Sequence, residues 1–148
     1  MGMFDSMHVS ASGLAAERLR MDVIAQNLAN VNSTRGPDGQ PYRRHEVVFQ
    51  SADATSGTRG AKGMSENASN SPVHGVEAVA IVEDPSELRA VYQPDHPDAD
   101  DNGYVYYPNV NPVTEMVEMM TATRAYEANV TAMNAAKNMA LKALDILR

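Results

Sequence analysis

The 36 residues after Pro112 contain neither glycine nor proline. Nothing in that stretch breaks a helix, and its apolar residues keep a helical rhythm. Met116, Met119, Thr123, Tyr126, Val130, Met133, Lys137, Ala140, Leu144 and Leu147 follow one another at alternating steps of three and four, and eight of the ten are apolar. That is a heptad pattern sustained for more than four repeats. Asn111 and Pro112 supply the start, an N-cap side chain followed by proline at the first helical position. Glu115 and Glu118 follow where the helix dipole favours negative charge. The pattern predicts a helix over 112–147, roughly 54 Å long at 1.5 Å per residue. A globular helix averages about 11–12 residues. Such a rod carries an apolar seam that something must cover.

A second helical pattern runs from residue 5 to about residue 30. Met3, Met7, Ala11, Leu14, Met21, Ala25 and Leu28 form its stripe, interrupted by Arg18. Asp5 or Ser6 can cap the start. Gly13 costs about 1 kcal/mol against alanine there and leaves room for a neighbouring helix to approach. Asn27, Asn30 and Asn32 cluster at the far end; asparagine enters left-handed conformations and caps carbonyls, so these three are expected to hold the helix exit through backbone hydrogen bonds. At roughly 37 Å this helix covers only part of the longer seam.

Between the helices the pattern changes. Tyr42–Phe49, Gly75–Glu83, Leu88–Tyr92 and Gly103–Tyr107 are rich in valine, isoleucine and tyrosine and read as short strands. Residues 51–72 lack aromatics and nearly all large apolar side chains, which reads as a flexible insert. Its Gly60-Ala61-Lys62-Gly63 does not match a phosphate-binding loop. The expected fold is mainly α with a small β domain. Long N- and C-terminal helices form an antiparallel coiled coil (1–34 and 111–148), with a β-rich middle unit over 35–110.

Composition narrows the function. The net charge of -7 and the lack of any basic cluster beyond Arg43-Arg44 argue against nucleic acid. Without cysteine there are no disulfides, thiolate nucleophiles or thiolate metal sites. The N-terminus shows no signal-peptide pattern, and no apolar run is long enough to span a membrane.

The stretch Asp98-Ala99-Asp100-Asp101-Asn102-Gly103 looks like the opening of a calcium loop. Position 12 is Asn109 where glutamate is needed, and Pro94, Pro97 and Pro108 forbid flanking helices. It reads better as an acidic turn into a strand. His96 with Asp95, Asp98 and Asp100 is the best candidate metal cluster, and solvated turn residues explain it more simply. His8, His45 and His74 have no zinc-helix spacing. No catalytic motif is present and no carboxylate pair is marked as buried, so no enzyme, cofactor or small-molecule substrate is expected.

Asn27–Thr34 (NLANVNST) and Asn111–Asn129 (NPVTEMVEMMTATRAYEAN) resemble the two signatures of the bacterial flagellar basal-body rod family. Met21–Ala25, Gly39–Arg44, Val47–Phe49, Asp95–Asp100, Gly103–Val105 and Tyr107–Pro112 add to the resemblance, which points to the proximal-rod members and covers nearly the whole chain except 51–72. The resemblance implies a structural subunit of the proximal rod, the torque-transmitting drive shaft in the flagellum basal body. It also implies export through the flagellar apparatus without a cleaved signal peptide. Its partners would be copies of itself, other rod proteins, the inner-membrane ring junction or its adaptor, and the export apparatus.

The seam fits that role, because apolar stripes left partly uncovered call for neighbouring subunits and heterologous contacts build helices. Leu14, Met21, Ile24 and Leu28 are the expected packing positions of the first helix. Met116, Met120, Tyr126, Val130, Met133, Leu141, Leu144 and Leu147 are those of the second. Two other readings stay open on the residues alone: a non-polymerising coiled-coil adaptor, and a metal-dependent protein built on His96 and its aspartates.

Overall fold

Asn111 starts the long helix as its side chain requires. Its Oδ1 accepts the Val113 N–H at 3.0 Å, and its carbonyl accepts the Glu115 N–H at 3.0 Å. The computed structural model describes residues 3–52 and 75–146. The order is α1 (Met3–Ala29), β1 (His45–Ala52), β2 (Gly75–Glu83), β3 (Arg89–Tyr92), β4 (Tyr104–Tyr107) and α2 (Pro112–Ile146). Leu147 lies outside the described residues.

The two helices pack antiparallel. Asn27 meets Glu115, Met21 meets Thr123, and Gly13 lies against Asn129. Fourteen residues back along α1 thus match fourteen forward along α2. Carried on, this register sets Met3 opposite Met139, and α2 runs on to Ile146. A Cβ on Gly13 would sit 3.0 Å from Asn129 Nδ2. Gly13→Leu is therefore expected to destabilise the chain by about 1–3 kcal/mol through overpacking. Asn129→Ala in the same chain should recover most of that, read as the urea midpoint.

The seam between the helices is not the stripe that periodicity marks. Among the described residues the buried positions of α1 are Ala16, Val23, Ile24 and Asn27, and those of α2 are Glu115, Ala122 and Ala136. In α2 each stands one position before a stripe residue (116, 123 and 137), a rotation of about 100°. The helices approach through small and polar side chains. The stripe positions Met116, Thr123, Lys137 and Leu144 are exposed, and Met119, Tyr126, Val130, Met133 and Ala140 are half-buried.

Among the described residues the middle region holds two two-stranded antiparallel sheets, β1–β2 and β3–β4. β1 begins at His45, three residues later than expected, because the Arg44 N–H donates to Asn109 Oδ1 and the His45 N–H to Asn27 Oδ1. It continues through Ser51 and Ala52, which pair with Val76 and Gly75, so the expected insert gives up its first two residues to the strand. Residues 53–72 lie outside the described residues. Val47 and Phe49 alternate inward on β1 and line one depression with Val23 and Ile24 of α1. The start of β2 rests on α1 as well, where the Val76 N–H donates to Ser12 Oγ at 3.1 Å.

The acidic stretch closes the connection between β3 and β4. The Gly103 N–H donates to the Asp100 carbonyl at 2.7 Å, and Gly103 has φ +80°. A side chain there would be strained and would also strike the Tyr92 ring at 2.9 Å. The Asp98 carboxylate accepts from Thr34 at 2.8 Å and faces Arg35 at 3.6 Å, tying the loop to the exit of α1.

Candidate functional site

The largest fully buried side chain among the described residues is Glu115, followed by Val105 and Asn27. Burying a carboxylate is costly unless it is paired and hydrogen-bonded. Here Asn27, Tyr42, Arg44, His45, Glu115 and Glu118 form a polar clamp where α1, β1 and the first turns of α2 meet.

Asn27 is its hinge. Its Nδ2 donates to the His45 carbonyl at 2.8 Å and to Glu115 Oε2 at 3.1 Å. Its Oδ1 accepts the His45 N–H at 3.0 Å and the Tyr42 hydroxyl at 2.9 Å. All four hydrogen-bonding positions of the amide are used. The side chain treats His45 as a neighbouring strand would, so α1 supplies a one-residue sheet edge to β1. This corrects the expectation for Asn27, which binds a strand 18 residues away instead of holding its own helix exit. Asn30 does bind the exit, through Nδ2 to the Gln26 carbonyl at 2.9 Å, while Asn32 is exposed.

Arg44 is the cation of the clamp, with a side chain 15% exposed. Its Nε donates to Glu115 Oε1 at 2.6 Å and its Nη2 to the Glu118 carboxylate at 3.1 and 3.2 Å. Glu46 lies 3.5 Å away and Asp84 4.0 Å away. Burial works against the guanidinium charge, but the hydrogen bond to Glu115 and the charges of Glu115, Glu118 and Glu46 outweigh it and raise the pKa. Burial, then Glu115 and Glu83, raise the Tyr42 pKa, which keeps its hydroxyl proton available to Asn27.

Asn109 extends the clamp. Its Oδ1 accepts the Arg44 N–H at 2.8 Å, and its Nδ2 donates to Ser86 Oγ at 2.7 Å and to the Asp84 carbonyl at 3.1 Å. Asp84 is held below the ordinary carboxylate range by its hydrogen bonds from Ser86, helped by Arg44 and Arg43. A lowered folded pKa contributes stability above the unfolded value and loses it as pH falls through the folded one. Asp84→Asn should therefore weaken the loss of stability between about pH 6 and about pH 3, compared by urea melts at the two ends.

The network is not legible in the local sequence because directly bonded members lie up to 88 residues apart. Two signals were available: Glu115 and Glu118 lie three apart beside the apolar stripe, and Arg43-Arg44 is the only adjacent basic pair. Helix-dipole chemistry accounted for the glutamates without a partner.

The expected packing residues divide between three environments. Ile24 is 3% exposed and belongs to the chain's own core against β1, so it is not available to a neighbour in this fold. Leu14, Met21, Leu28, Tyr126, Val130 and Met133 are half-buried. Met116, Met120, Leu141 and Leu144 are exposed, as are Val113 and Val117 beside the first two. Leu14, Arg18, Met21, Asp22, Ala25, Met119 and Tyr126 line two adjoining open depressions of about 340 and 400 Å³, which together make a lateral groove along the helix pair. Rotation of the inner faces away from the apolar stripes creates this groove.

A pair of long terminal helices that leaves its most apolar stripes on the flank, clamped to small sheets, is the form of a subunit that packs into something larger. The model for the flagella basal body rod protein matches residues 7–37. The model for the flagellar basal body rod FlgEFG protein C-terminal matches residues 101–146. The chain is 45% identical to the flagellar basal-body rod protein FlgC of Borreliella burgdorferi, covering 100% of this chain and 99% of that protein. It is 47% identical to the FlgC of Bacillus subtilis, with 99% of each chain covered. Against that of Salmonella typhimurium it is 42% identical over 99% of this chain and 98% of the relative. The chain belongs to the FlgC family of flagellar basal-body rod proteins, structural subunits of the rod. Among the described residues no helix is long and apolar enough to cross a membrane.

Proposed function

We propose that this chain builds the proximal rod of the flagellum, assembling helically with its own copies and with other rod proteins into the drive shaft that carries torque. Residues 1–34 and 111–148 form the rod core as an antiparallel coiled coil, and residues 35–110 form the middle unit. The subunit contacts the junction with the inner-membrane ring or its adaptor, and it reaches its place through the flagellar export apparatus without a cleaved signal peptide. The role is mechanical, not catalytic.

One observation carries the reading: the described stripe positions of both helices are half-buried or exposed, and none of them lies in the chain's own buried core. A stripe of Val113, Met116, Val117 and Met120 facing water is unfavourable at roughly 25 cal/mol per Å² and is relieved by a neighbouring subunit. The clamp serves the same end. It fixes the angle between β1 and both helices, so load applied to the middle unit passes into the helix pair. The packing residues are Leu14, Met21 and Leu28 of α1, with Met116, Met120, Tyr126, Val130, Met133, Leu141, Leu144 and Leu147 of the second helix.

Mass spectrometry of purified hook–basal bodies tests the assignment. Stoichiometric presence of the chain supports it. Absence from that fraction, with the chain recovered in soluble form, would favour a non-polymerising coiled-coil adaptor.

A further inference from the structure

We propose that the outer face of the β3–β4 sheet docks an arginine-bearing segment of another protein; this goes beyond the rod-subunit reading and does not depend on it. In an antiparallel pair, residues opposite each other share a face, and the two faces alternate along each strand. Tyr92 pairs with Tyr104 and Ala90 with Tyr106, so these four form one face. Arg89, Val91, Val105 and Tyr107 form the other, which turns inward at Val105, 0% exposed. On the outer face Tyr92, Tyr104 and Tyr106 are 62%, 43% and 42% exposed. Single exposed apolar side chains are ordinary, but adjoining ones mark an interaction surface. Tyrosine suits a surface that is apolar over the ring and wet at the hydroxyl. The Tyr92 and Tyr104 rings stand edge to face at 5.4 Å, which fixes each against the other.

Charge selects the occupant. Residues 93–103 join Tyr92 to Tyr104, and this connection carries the acidic stretch that fails as a calcium loop. The Asp100 N–H donates to the Tyr104 carbonyl at 2.8 Å, which brings the acidic turn against the tyrosine end of the sheet. Asp95, Asp100 and Asp101 are exposed, and none has an ion-pair partner among the described residues. Asp98, by contrast, faces Arg35. An apolar partner laid over the tyrosines would desolvate these carboxylates unpaired, and an anionic one would be repelled. A cation is attracted by the carboxylates through charge and by the ring faces through their quadrupole. Arginine fits better than lysine, because its planar guanidinium stacks on a ring while its N–H groups reach a carboxylate. The sheet already shows this chemistry on its other face, where the Arg89 guanidinium lies 5.1 Å over the Tyr107 ring.

Calorimetric titration of the full chain with hexa-arginine at low salt tests the docking. Hexa-arginine should bind at least about threefold more tightly than hexa-lysine. Tyr92→Leu, Tyr104→Leu and Tyr106→Leu together keep apolar area on the strands but remove the rings, and should weaken hexa-arginine at least about tenfold. Asp95→Asn, Asp100→Asn and Asp101→Asn together should weaken it by about the same factor. Glu77→Gln, Glu83→Gln and Glu127→Gln make the same change in net charge at exposed carboxylates elsewhere, and should stay within about twofold of the native chain. If the leucine variant does not fold, the comparison of the aspartate and glutamate sets decides. Equal binding by the native chain and the leucine variant, or equal losses in the aspartate and glutamate sets, would reveal diffuse attraction to an acidic chain and overturn the proposal. Tyrosine-dependent binding of chitohexaose or deca-proline, with none of hexa-arginine, would assign the face to a glycan or a polyproline segment and overturn it as well.

Discussion

Arg44→Met should destabilise the folded chain by about 4 kcal/mol, because removing one partner of a buried ion pair leaves its mate charged and unpaired at a cost of 3–5 kcal/mol. Methionine keeps most of the stem volume, so the loss reports charge more than packing. Glu115 is 0% exposed and loses the donor 2.6 Å from its Oε1, with Asn27 its remaining partner. Glu118, Glu46 and Asp84 lose the cation they share and repel one another. Glu115→Gln is the milder change. It keeps an acceptor for Arg44 and leaves the cation beside three carboxylates, but its amide nitrogen replaces the oxygen that accepts from Asn27 Nδ2, so one buried hydrogen bond is lost and about 1–3 kcal/mol is expected. Urea denaturation of the purified chain measures both. Equal midpoints for Arg44→Met and native protein would show that the clamp does not hold the elements together.

Met116→Glu with Met120→Glu should leave the isolated chain as stable as the native one, within about 0.5 kcal/mol, as substitutions at exposed helix positions usually do. Both side chains are exposed, both lie in the N-terminal part of α2, and glutamate is a good helix former. The effect should fall on assembly. Two charges placed in a dry subunit contact bring an uncompensated desolvation cost, so incorporation into basal bodies and swimming should be lost while circular dichroism and the urea midpoint are unchanged. A swimming strain with normal rod content would remove this stripe from the assembly surface. A fall in stability of the isolated chain would show that the stripe packs within the subunit.

Local chemistry alone determined the two helices and their ends. Glycine-free, proline-free length and 3–4 spacing dictate α2, Asn111 and Pro112 dictate where it starts, and β-branched runs dictate the strands to within about three residues. These are nearest-neighbour effects, and they need no knowledge of what lies across the fold. The resemblance of Asn27–Thr34 and Asn111–Asn129 to the rod family was legible in the same way, as residues in order.

Only the tertiary structure decided which face of each helix turns inward. Periodicity selects the most apolar stripe. The fold instead turns in Gly13, Ala16 and Asn27 against Glu115, Ala122 and Asn129, because the clamp at one end and the close helix approach at Gly13 fix the rotation about each axis. That rotation commits Ile24 to the chain's own core and puts Leu14, Met21 and Tyr126 along an open groove. It also joins Asn27, Arg44 and Glu115 into one site across 88 residues of chain. Contacts at such separation depend on how elements dock, and the spacing of residues within one helix carries no record of the partner that will meet it.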